Sequence, residues 1–223
     1  MRLTRLRSKL LDWFSENGRD LPWRSPCVST YEKICVEVLL QRTRAETVAE
    51  FFGTFFDRFP GWDALATAPI EDLEEFLKPI GLWRRRALSI NALASYAVAH
   101  GGRFPSEHGE LSKVPAVGQY VANAIQLFQH GLPSPLVDVN MARVLERYLR
   151  PRKLADIRHD HWLQEAAHWI VKSEDPVRVN WATLDFAALV CRARNPHCQE
   201  CPFRSRCNFA RTLHYGNAGA SIK

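Results

Sequence analysis

Four cysteines close together near the C-terminus constrain this chain more than any other feature of its sequence. They are spaced as Cys191-x6-Cys198-x2-Cys201-x5-Cys207. The basic N-terminus lacks the apolar core of an export signal, so a metal site is favoured over disulfides in this segment. Zinc ribbons use two Cys-x2-Cys pairs across a long gap, which this spacing does not match, and reduced structural thiols are the alternative. The other two cysteines, Cys27 and Cys35, fit no ligand spacing, and we expect ordinary buried thiols.

A second informative stretch runs from Val114 to Asn140. It begins with Val114–Tyr120, a tight Gly-containing turn that leads into an apolar helix. The N-terminus of such a helix offers backbone N–H groups and the positive end of the helix dipole, which together bind anions such as phosphate. Near the end of the stretch, Asp138 lies between a Pro-rich loop and another helix, where a helix cap is the ordinary role of an aspartate. A phosphate site followed by a carboxylate indicates a protein that holds a nucleic-acid backbone and catalyses a reaction beside it.

The charge of the chain permits an acidic polymer as partner. The formal net charge is +6, and arginines are concentrated in the run Arg84–Arg86 and in the cysteine segment. A basic balance alone does not establish nucleic-acid binding, and solvated helix faces are the alternative for the arginine run. With 46% hydrophobic residues and no apolar stretch of membrane-spanning length, we expect a folded intracellular protein without a membrane partner.

Helical periodicity dominates the chain, and no convincing alternating strand pattern occurs. Apolar spacing predicts helices over 31–42, 84–100 and 161–171, among others, and a hairpin helix that ends at His130-Gly131. The sequence therefore predicts an all-α fold. In the first of these helices Glu37 is the only charge within an apolar run, and Gln41 follows one turn later on the same face.

Five segments, taken in order along the chain, resemble the helix-hairpin-helix DNA glycosylases. Segments 21–24 and 37–43 are similar to parts of the adenine and thymine–guanine mismatch glycosylases, 114–122 to the hairpin, 136–140 to the catalytic-aspartate segment, and 191–207 to the iron–sulfur motif of endonuclease III. The chain is thereby identified as a member of the endonuclease III and adenine glycosylase superfamily, nearest to the thymine–guanine mismatch branch. The resemblance implies a [4Fe–4S] cluster held by Cys191, Cys198, Cys201 and Cys207.

The resemblance also implies a domain organisation that periodicity does not reveal. Residues 22–132 would form a six-helix domain with the helix-hairpin-helix. Residues 1–21 and 133–211 would form a second helical domain that carries the cluster loop. Residues 212–223 are rich in small side chains and are expected to be a flexible tail.

The activity implied is that of a monofunctional DNA glycosylase in base excision repair. It would act as a monomer on double-stranded DNA, flipping out and excising a mispaired thymine or uracil opposite guanine. An adenine glycosylase acting opposite guanine or oxidised guanine is the alternative enzyme, although such enzymes usually carry a further C-terminal domain and this sequence ends at Lys223. A non-catalytic iron–sulfur protein that binds damaged DNA is the alternative of another class, and the presence of both Asp138 and Glu37 argues against it.

Three residues receive catalytic roles from the resemblance. Asp138 matches the catalytic aspartate, whose anion stabilises the positive charge that develops at C1′, and we expect its carboxylate at a helix N-terminus to stay ionised. Glu37 would face the extruded base, where desolvation raises a carboxyl pKa for proton donation. Tyr120 stands where the bifunctional branch has its nucleophilic lysine, and a phenol forms no Schiff base. A helix cap, a solvated glutamate and a core aromatic are the respective structural alternatives.

A further set of residues is predicted to contact DNA, from the resemblance, from the hairpin turn and from the charge of the cysteine segment. Leu82 resembles the wedge that fills the space of an extruded base. The set comprises Gln41, Arg42, Leu82, Val117, Gly118, Gln119, Asn140, Arg204 and Arg206. One departure from the family pattern is Ala116, which replaces the first glycine of the hairpin. If the turn requires a positive φ there, alanine costs about 1–2 kcal/mol and the grip on phosphate is weaker.

Overall fold

The structure is a computed structural model that describes residues 2–217, with the backbone alone for 213–217. Its described residues form helices and turns without a strand, which confirms the all-α prediction. The α-helices are α1 Arg2–Asn17, α2 Thr30–Leu39, α3 Ala45–Arg58, α4 Trp62–Thr67, α5 Ile70–Leu77, α6 Trp83–Ala99, α7 His108–Leu111, α8 Gln119–His130, α9 Val139–Tyr148, α10 His161–Val171, α11 Pro176–Leu189 and α12 Asn208–Asn217. None of the helices described has the length and hydropathy that crossing a bilayer requires.

The chain divides into two compact units. The central unit is Asp20–Leu132, and the terminal unit combines the residues up to Arg19 with those from Pro133 onward. In the central unit, α2 contributes to two hydrophobic clusters at once. Cys35, Val36 and Leu39 pack in one cluster, and Ile34 and Val38 pack in the other. Because apolar neighbours surround it on several sides, this helix is apolar around most of its circumference.

A capping box determines where α2 begins. The backbone N–H of Ser29 donates to Glu32 Oε2 at 2.7 Å, and the N–H of Glu32 donates back to Ser29 Oγ at 3.2 Å. These reciprocal bonds satisfy two backbone groups that the first turn leaves without helical partners. The start of the helix that carries Glu37 is therefore set locally.

The core of the terminal unit joins the two ends of the chain. Leu6 and Leu10 of α1 are fully buried in a cluster with Leu145 of α9, Ile170 of α10 and Phe186 of α11. An ion pair reinforces this packing, because Arg19 Nε donates to the fully buried carboxylate of Asp185 at 2.8 Å. Removing the Arg19 side chain would take the ion pair away from the fully buried carboxylate of Asp185, which is destabilising.

Three sequence predictions need correction. The helix predicted over 31–42 ends at Leu39, because the chain turns there and Arg42 adopts a left-handed φ of 58°. Cys27 is exposed, not buried, since it lies in the loop between the 3₁₀ turn Pro22–Arg24 and α2. The expected flexible tail from residue 212 starts within α12, which continues to Asn217, and the rest of that tail lies outside the described residues.

Candidate active site and cluster-binding loop

Asp138 is the N-cap of α9, and its carboxylate accepts three hydrogen bonds from the first turn. Oδ1 accepts from the backbone N–H groups of Asn140 and Met141, both at 2.8 Å, and Oδ2 accepts from the side-chain amide of Asn140 at 2.5 Å. Desolvation by burial raises the pKa of Asp138. The hydrogen bonds and the positive charge of Arg143 act in the opposite direction but are outweighed, so the pKa lies above its usual value. The stabilisation of the anion expected from the helix N-terminus is present but is the weaker effect.

Arg143, one turn further along α9, holds Asn140 in place. Its NH2 group donates to Asn140 Oδ1 at 2.9 Å and to the carbonyl of Ala187 at 3.0 Å. Its Nε donates to the carbonyl of Cys191 at 2.7 Å. A hydrogen-bonded path therefore leads from Asp138 to the first cysteine of the motif. Sequence reasoning missed Arg143, although its position three residues after Asn140 on a predicted helix was an available signal.

The four cysteines of the motif line one cavity of the terminal unit as free thiols. Burial is the main cause that raises the pKa of Cys198, of Cys207 and of Cys201, the last to about 11, and neighbouring sulfurs raise it further. In the described part of the chain no three His, Cys, Asp or Glu side chains are grouped as a single metal ion requires. For these thiols to ionise together around one cavity they need a shared positive group, and an iron–sulfur cluster that takes one thiolate for each iron fits this set of donors.

Arg147 of α9 holds the loop that follows the first cysteine. Its NH1 donates to the carbonyl of Arg192 at 2.7 Å, and its NH2 donates to the carbonyl of Ala193 at 3.1 Å. NH1 also lies 3.6 Å from the sulfur of Cys191. Sequence reasoning missed Arg147 because the two contacting residues are 44 positions apart.

In the central unit, Glu37 and Tyr120 form a direct pair. Glu37 is only 2% exposed on α2, and Tyr120 is half-buried in the first turn of α8. The hydroxyl of Tyr120 donates to Glu37 Oε2 at 2.7 Å, across 83 positions of sequence. The solvated-glutamate alternative is thus wrong, and Tyr120 is more than an apolar core residue.

The hairpin turn adopts the backbone conformation that its sequence makes costly. Ala116 has φ 62°, in the left-handed region where alanine is strained by about 1–2 kcal/mol. The turn closes with a hydrogen bond from the N–H of Val117 to the carbonyl of Val114 at 3.2 Å. Gly118 then precedes α8, which begins at Gln119 without a side-chain cap. A long helix that begins this way suits an external anion.

The other residues predicted to contact DNA lie in exposed turns. Gln41 and Arg42 are exposed in the turn after α2, and Leu82, 49% exposed, is the N-cap of α6 with φ 50°. Arg204 and Arg206 are exposed in the 3₁₀ turn Arg204–Arg206, between the last two cysteines.

One exposed apolar residue near this set was missed. Val139, directly after Asp138, is 66% exposed. The structure thus groups Asp138 with Asn140, Glu37 with Tyr120, and the four cysteines with one another. The predicted DNA contacts stay predictions.

Comparison with protein families gives two matches in this chain. Residues 35–165 match the HhH-GPD superfamily base excision DNA repair protein. Residues 191–207 match the iron–sulfur binding domain of endonuclease III. The second match begins and ends at the outer cysteines of the motif, and it confirms the [4Fe–4S] cluster as cofactor.

Individual relatives cover nearly all of the chain. The thymine-DNA glycosylase of Aeropyrum pernix is 34% identical over 97% of this chain and 96% of its own. The thymine/uracil-DNA glycosylase of Pyrobaculum aerophilum is 31% identical over 89% of this chain and 88% of its own. The adenine DNA glycosylase of Buchnera aphidicola is 30% identical over 89% of this chain but only 56% of its own. A solved structure of a thermostable thymine-DNA glycosylase superposes with a TM-score of 0.85 at 28% identity, covering 95% of this chain and 97% of that one.

Proposed function

Because the chain belongs to the HhH-GPD superfamily of base excision DNA repair proteins, we propose that it is a monofunctional glycosylase that excises thymine or uracil opposite guanine. Its family makes it a DNA N-glycosylase with a [4Fe–4S] cluster. The relatives named as thymine or thymine/uracil glycosylases support the choice of base. The hydrogen bond between Tyr120 and Glu37 is the observation that carries the proposal.

Tyr120 determines how the reaction ends. A glycosylase that also cleaves the strand needs an amine that attacks C1′ and forms a Schiff base. Tyr120 has no amine, and its hydroxyl is engaged by the carboxylate of Glu37. Water therefore completes the displacement and leaves an intact abasic site. Glu37, buried and hydrogen-bonded to Tyr120, is the group that exchanges a proton with the departing base.

Asp138 supplies the negative charge that the sugar needs. Breaking the N-glycosyl bond develops oxocarbenium character at C1′, which a nearby fixed carboxylate stabilises. The three hydrogen bonds from Asn140 and Met141 hold the carboxylate of Asp138 in one orientation, so little reorganisation is needed when the positive charge develops.

The cluster has a structural part in this proposal. Cys191, Cys198, Cys201 and Cys207 would hold it, because their thiols line one cavity. When bound, the cluster supplies an inorganic cross-link that orders the loop. Arg204 and Arg206 would then be held for contact with DNA phosphates, and the hairpin residues Val117–Gln119 would bind a further phosphate.

The proposal is tested with a panel of duplexes that carry thymine, uracil or adenine opposite guanine, under single-turnover conditions. We expect excision of thymine and uracil, with strand breaks only after alkali or heat. The unmodified protein should form no adduct with borohydride, whereas Tyr120→Lys should form one and process thymine more slowly. Tyr120→Phe is the matched control, since it keeps the ring and provides no amine. Borohydride trapping by the unmodified protein would contradict the monofunctional assignment.

Excision of adenine in place of thymine would instead support an adenine glycosylase. The 30% identity to the adenine DNA glycosylase of Buchnera aphidicola and the presence of Glu37 favour this second candidate. The base panel distinguishes the two directly, because it measures which base each duplex loses.

A further inference from the structure

Arg86 is a buried arginine whose guanidinium group is bound by uncharged oxygens. It lies on α6 and is 4% exposed. Its NH1 group donates to the carbonyl of Ile80 at 3.0 Å and to the carbonyl of Gly81. Its NH2 group donates to the carbonyls of Leu39, at 3.2 Å, and Gln41, at 2.9 Å. NH2 also donates to Thr43 Oγ1 at 2.9 Å. Among the described residues no acid pairs with it. Burying such a charge is costly, so the surrounding backbone must be arranged to accept its hydrogen bonds.

These acceptors belong to two separate turns of the central unit. Residues 39–43, the Gln41 turn, start at the last residue of α2, and residues 80–82, the Leu82 turn, precede α6. Each terminal nitrogen of Arg86 serves one of them, so one guanidinium bridges both. The hydroxyl of Thr43 adds a second link, because it also donates to the carbonyl of Ile80 at 3.2 Å.

Both turns contain a non-glycine residue in the left-handed region. Arg42 has φ 58° and Leu82 has φ 50°. Each such residue costs about 1–2 kcal/mol and persists only where surrounding contacts enforce the conformation. The side chains of Gln41, Arg42 and Leu82 are exposed, so packing of these side chains does not hold the left-handed backbone in place. The bonds from Arg86 act on the buried backbone of the same turns.

We propose that Arg86 is a positioning residue that locks the Gln41 turn and the Leu82 turn into one rigid element for probing the DNA stack. The inference rests on the proposed function, in which Leu82 is the wedge that replaces an extruded base. To replace a base, the side chain of Leu82 must insert into the stacked duplex. If the turn that carries Leu82 deformed on contact, the base would stay stacked. Arg86 therefore acts on base extrusion and not on cleavage of the N-glycosyl bond.

The test compares two substrates for the same excision reaction. One is a duplex with thymine opposite guanine, and the other carries the same thymine in an unpaired bubble, which needs little extrusion. Rates are compared per active protein molecule. For Arg86→Met we expect the single-turnover rate to fall by at least about 10-fold on the duplex and to change by no more than about 2-fold on the bubble. Arg86→Lys keeps the charge but has one nitrogen, so its loss on the duplex should be intermediate.

Two further variants separate positioning from charge and from folding. Arg58→Met removes an exposed charge at the end of α3 and should leave both rates unchanged. Leu82→Ala should show the same duplex-selective loss as Arg86→Met, and the double variant should lose little more, because both act on one step. Equal losses of Arg86→Met on both substrates, or no loss on the duplex, would overturn the inference.

Hydrogen exchange tests the lock without relying on activity. In Arg86→Met the amides of residues 39–43 and 80–82 should exchange faster together, while those of α3 and α8 keep their rates. Unchanged exchange in both turns would also overturn the inference. If the unmodified protein excises no base from either substrate, the proposed function fails, and the exchange experiment still decides whether Arg86 locks the turns.

Discussion

The first turns of α8 and α9 differ in how their free backbone N–H groups are satisfied. Every helix start leaves backbone N–H groups without helical partners and carries the positive end of a dipole. α8 begins after Gly118 with no side-chain cap, whereas the carboxylate of Asp138 caps α9 and accepts from Asn140 and Met141. The first start suits an anion from outside, and the second contains an anion of its own.

The two starts also differ in how their backbones are held. Ala116 puts the turn before α8 into a strained left-handed conformation, whereas Asp138 has an ordinary extended φ of −123°. The unfavourable contribution at Asp138 is the desolvation of its carboxylate, which raises its pKa, and not backbone strain. The residue at the cap thus decides whether a helix start leaves its N–H groups open to an external anion or carries a fixed negative charge of its own.

The largest expected effect comes from Asp138→Asn, which neutralises the α9 start without removing its cap. Asparagine caps helices as well as aspartate, so the fold should be kept. The single-turnover excision rate should fall by about 10³-fold or more, because the developing charge at C1′ loses its counter-charge. Binding of mismatched DNA, measured by fluorescence anisotropy, should persist. A near-normal rate would show that Asp138 is only a cap.

The same variant has a pH-dependent effect on stability that checks the desolvation of Asp138. A carboxyl whose pKa is raised by folding contributes stability below its unfolded pKa and loses that contribution as pH rises through the folded pKa. Asp138→Asn should therefore melt no lower than the parent at pH 7, and its relative advantage should shrink as the pH falls toward 4. A variant that melts well below the parent at pH 7 would mean that the charge itself stabilises the cap.

A smaller effect is expected from Arg143→Met, which loosens the support of the α9 start. Without Arg143, the Oδ1 atom of Asn140 loses its hydrogen bond from the guanidinium group. The side-chain amide of Asn140 can then rotate and break its hydrogen bond to Asp138. We expect the excision rate to fall by about 10-fold and DNA affinity to fall less, since the carboxylate loses the support of Asn140 and the charge of Arg143 that lowers its pKa. Arg178→Met, which removes an exposed charge from α11 of the same unit, is the control. Equal losses in both variants would point to net charge.

The smallest effect is expected from Ala116→Gly, which relieves the turn before α8. Glycine adopts φ 62° without strain, so the free energy of unfolding should rise by about 1 kcal/mol. Chemical denaturation measures the gain, and DNA affinity should rise a few-fold if the relaxed turn grips phosphate better. Ala49→Gly in α3 is the opposite control, because glycine within a helix should lower stability by about 0.5–1 kcal/mol. A loss of stability in Ala116→Gly would contradict the strain assigned to the hairpin.

Helix positions followed from the sequence wherever local signals were strong. α10 begins and ends at the residues that periodicity predicted, and the hairpin helix ends at Gly131 in the left-handed conformation. The end of α2 was misplaced by three residues, 40–42, because the turn there is stabilised by Arg86 from a distant helix. Apolar spacing contains no information about such a contact.

The sequence by itself determined the parts of the site that depend on neighbouring residues. The cap at Asp138 and the hairpin turn at Ala116 involve residues within three positions of each other, and the spacing of four cysteines is readable directly. Only the tertiary structure decided that Tyr120 binds Glu37, that Arg147 holds the cysteine loop, and that Arg86 bridges two turns. Short-range hydrogen bonds follow from chain geometry, whereas these long-range bonds form only after the helices have packed and brought distant residues within hydrogen-bond distance.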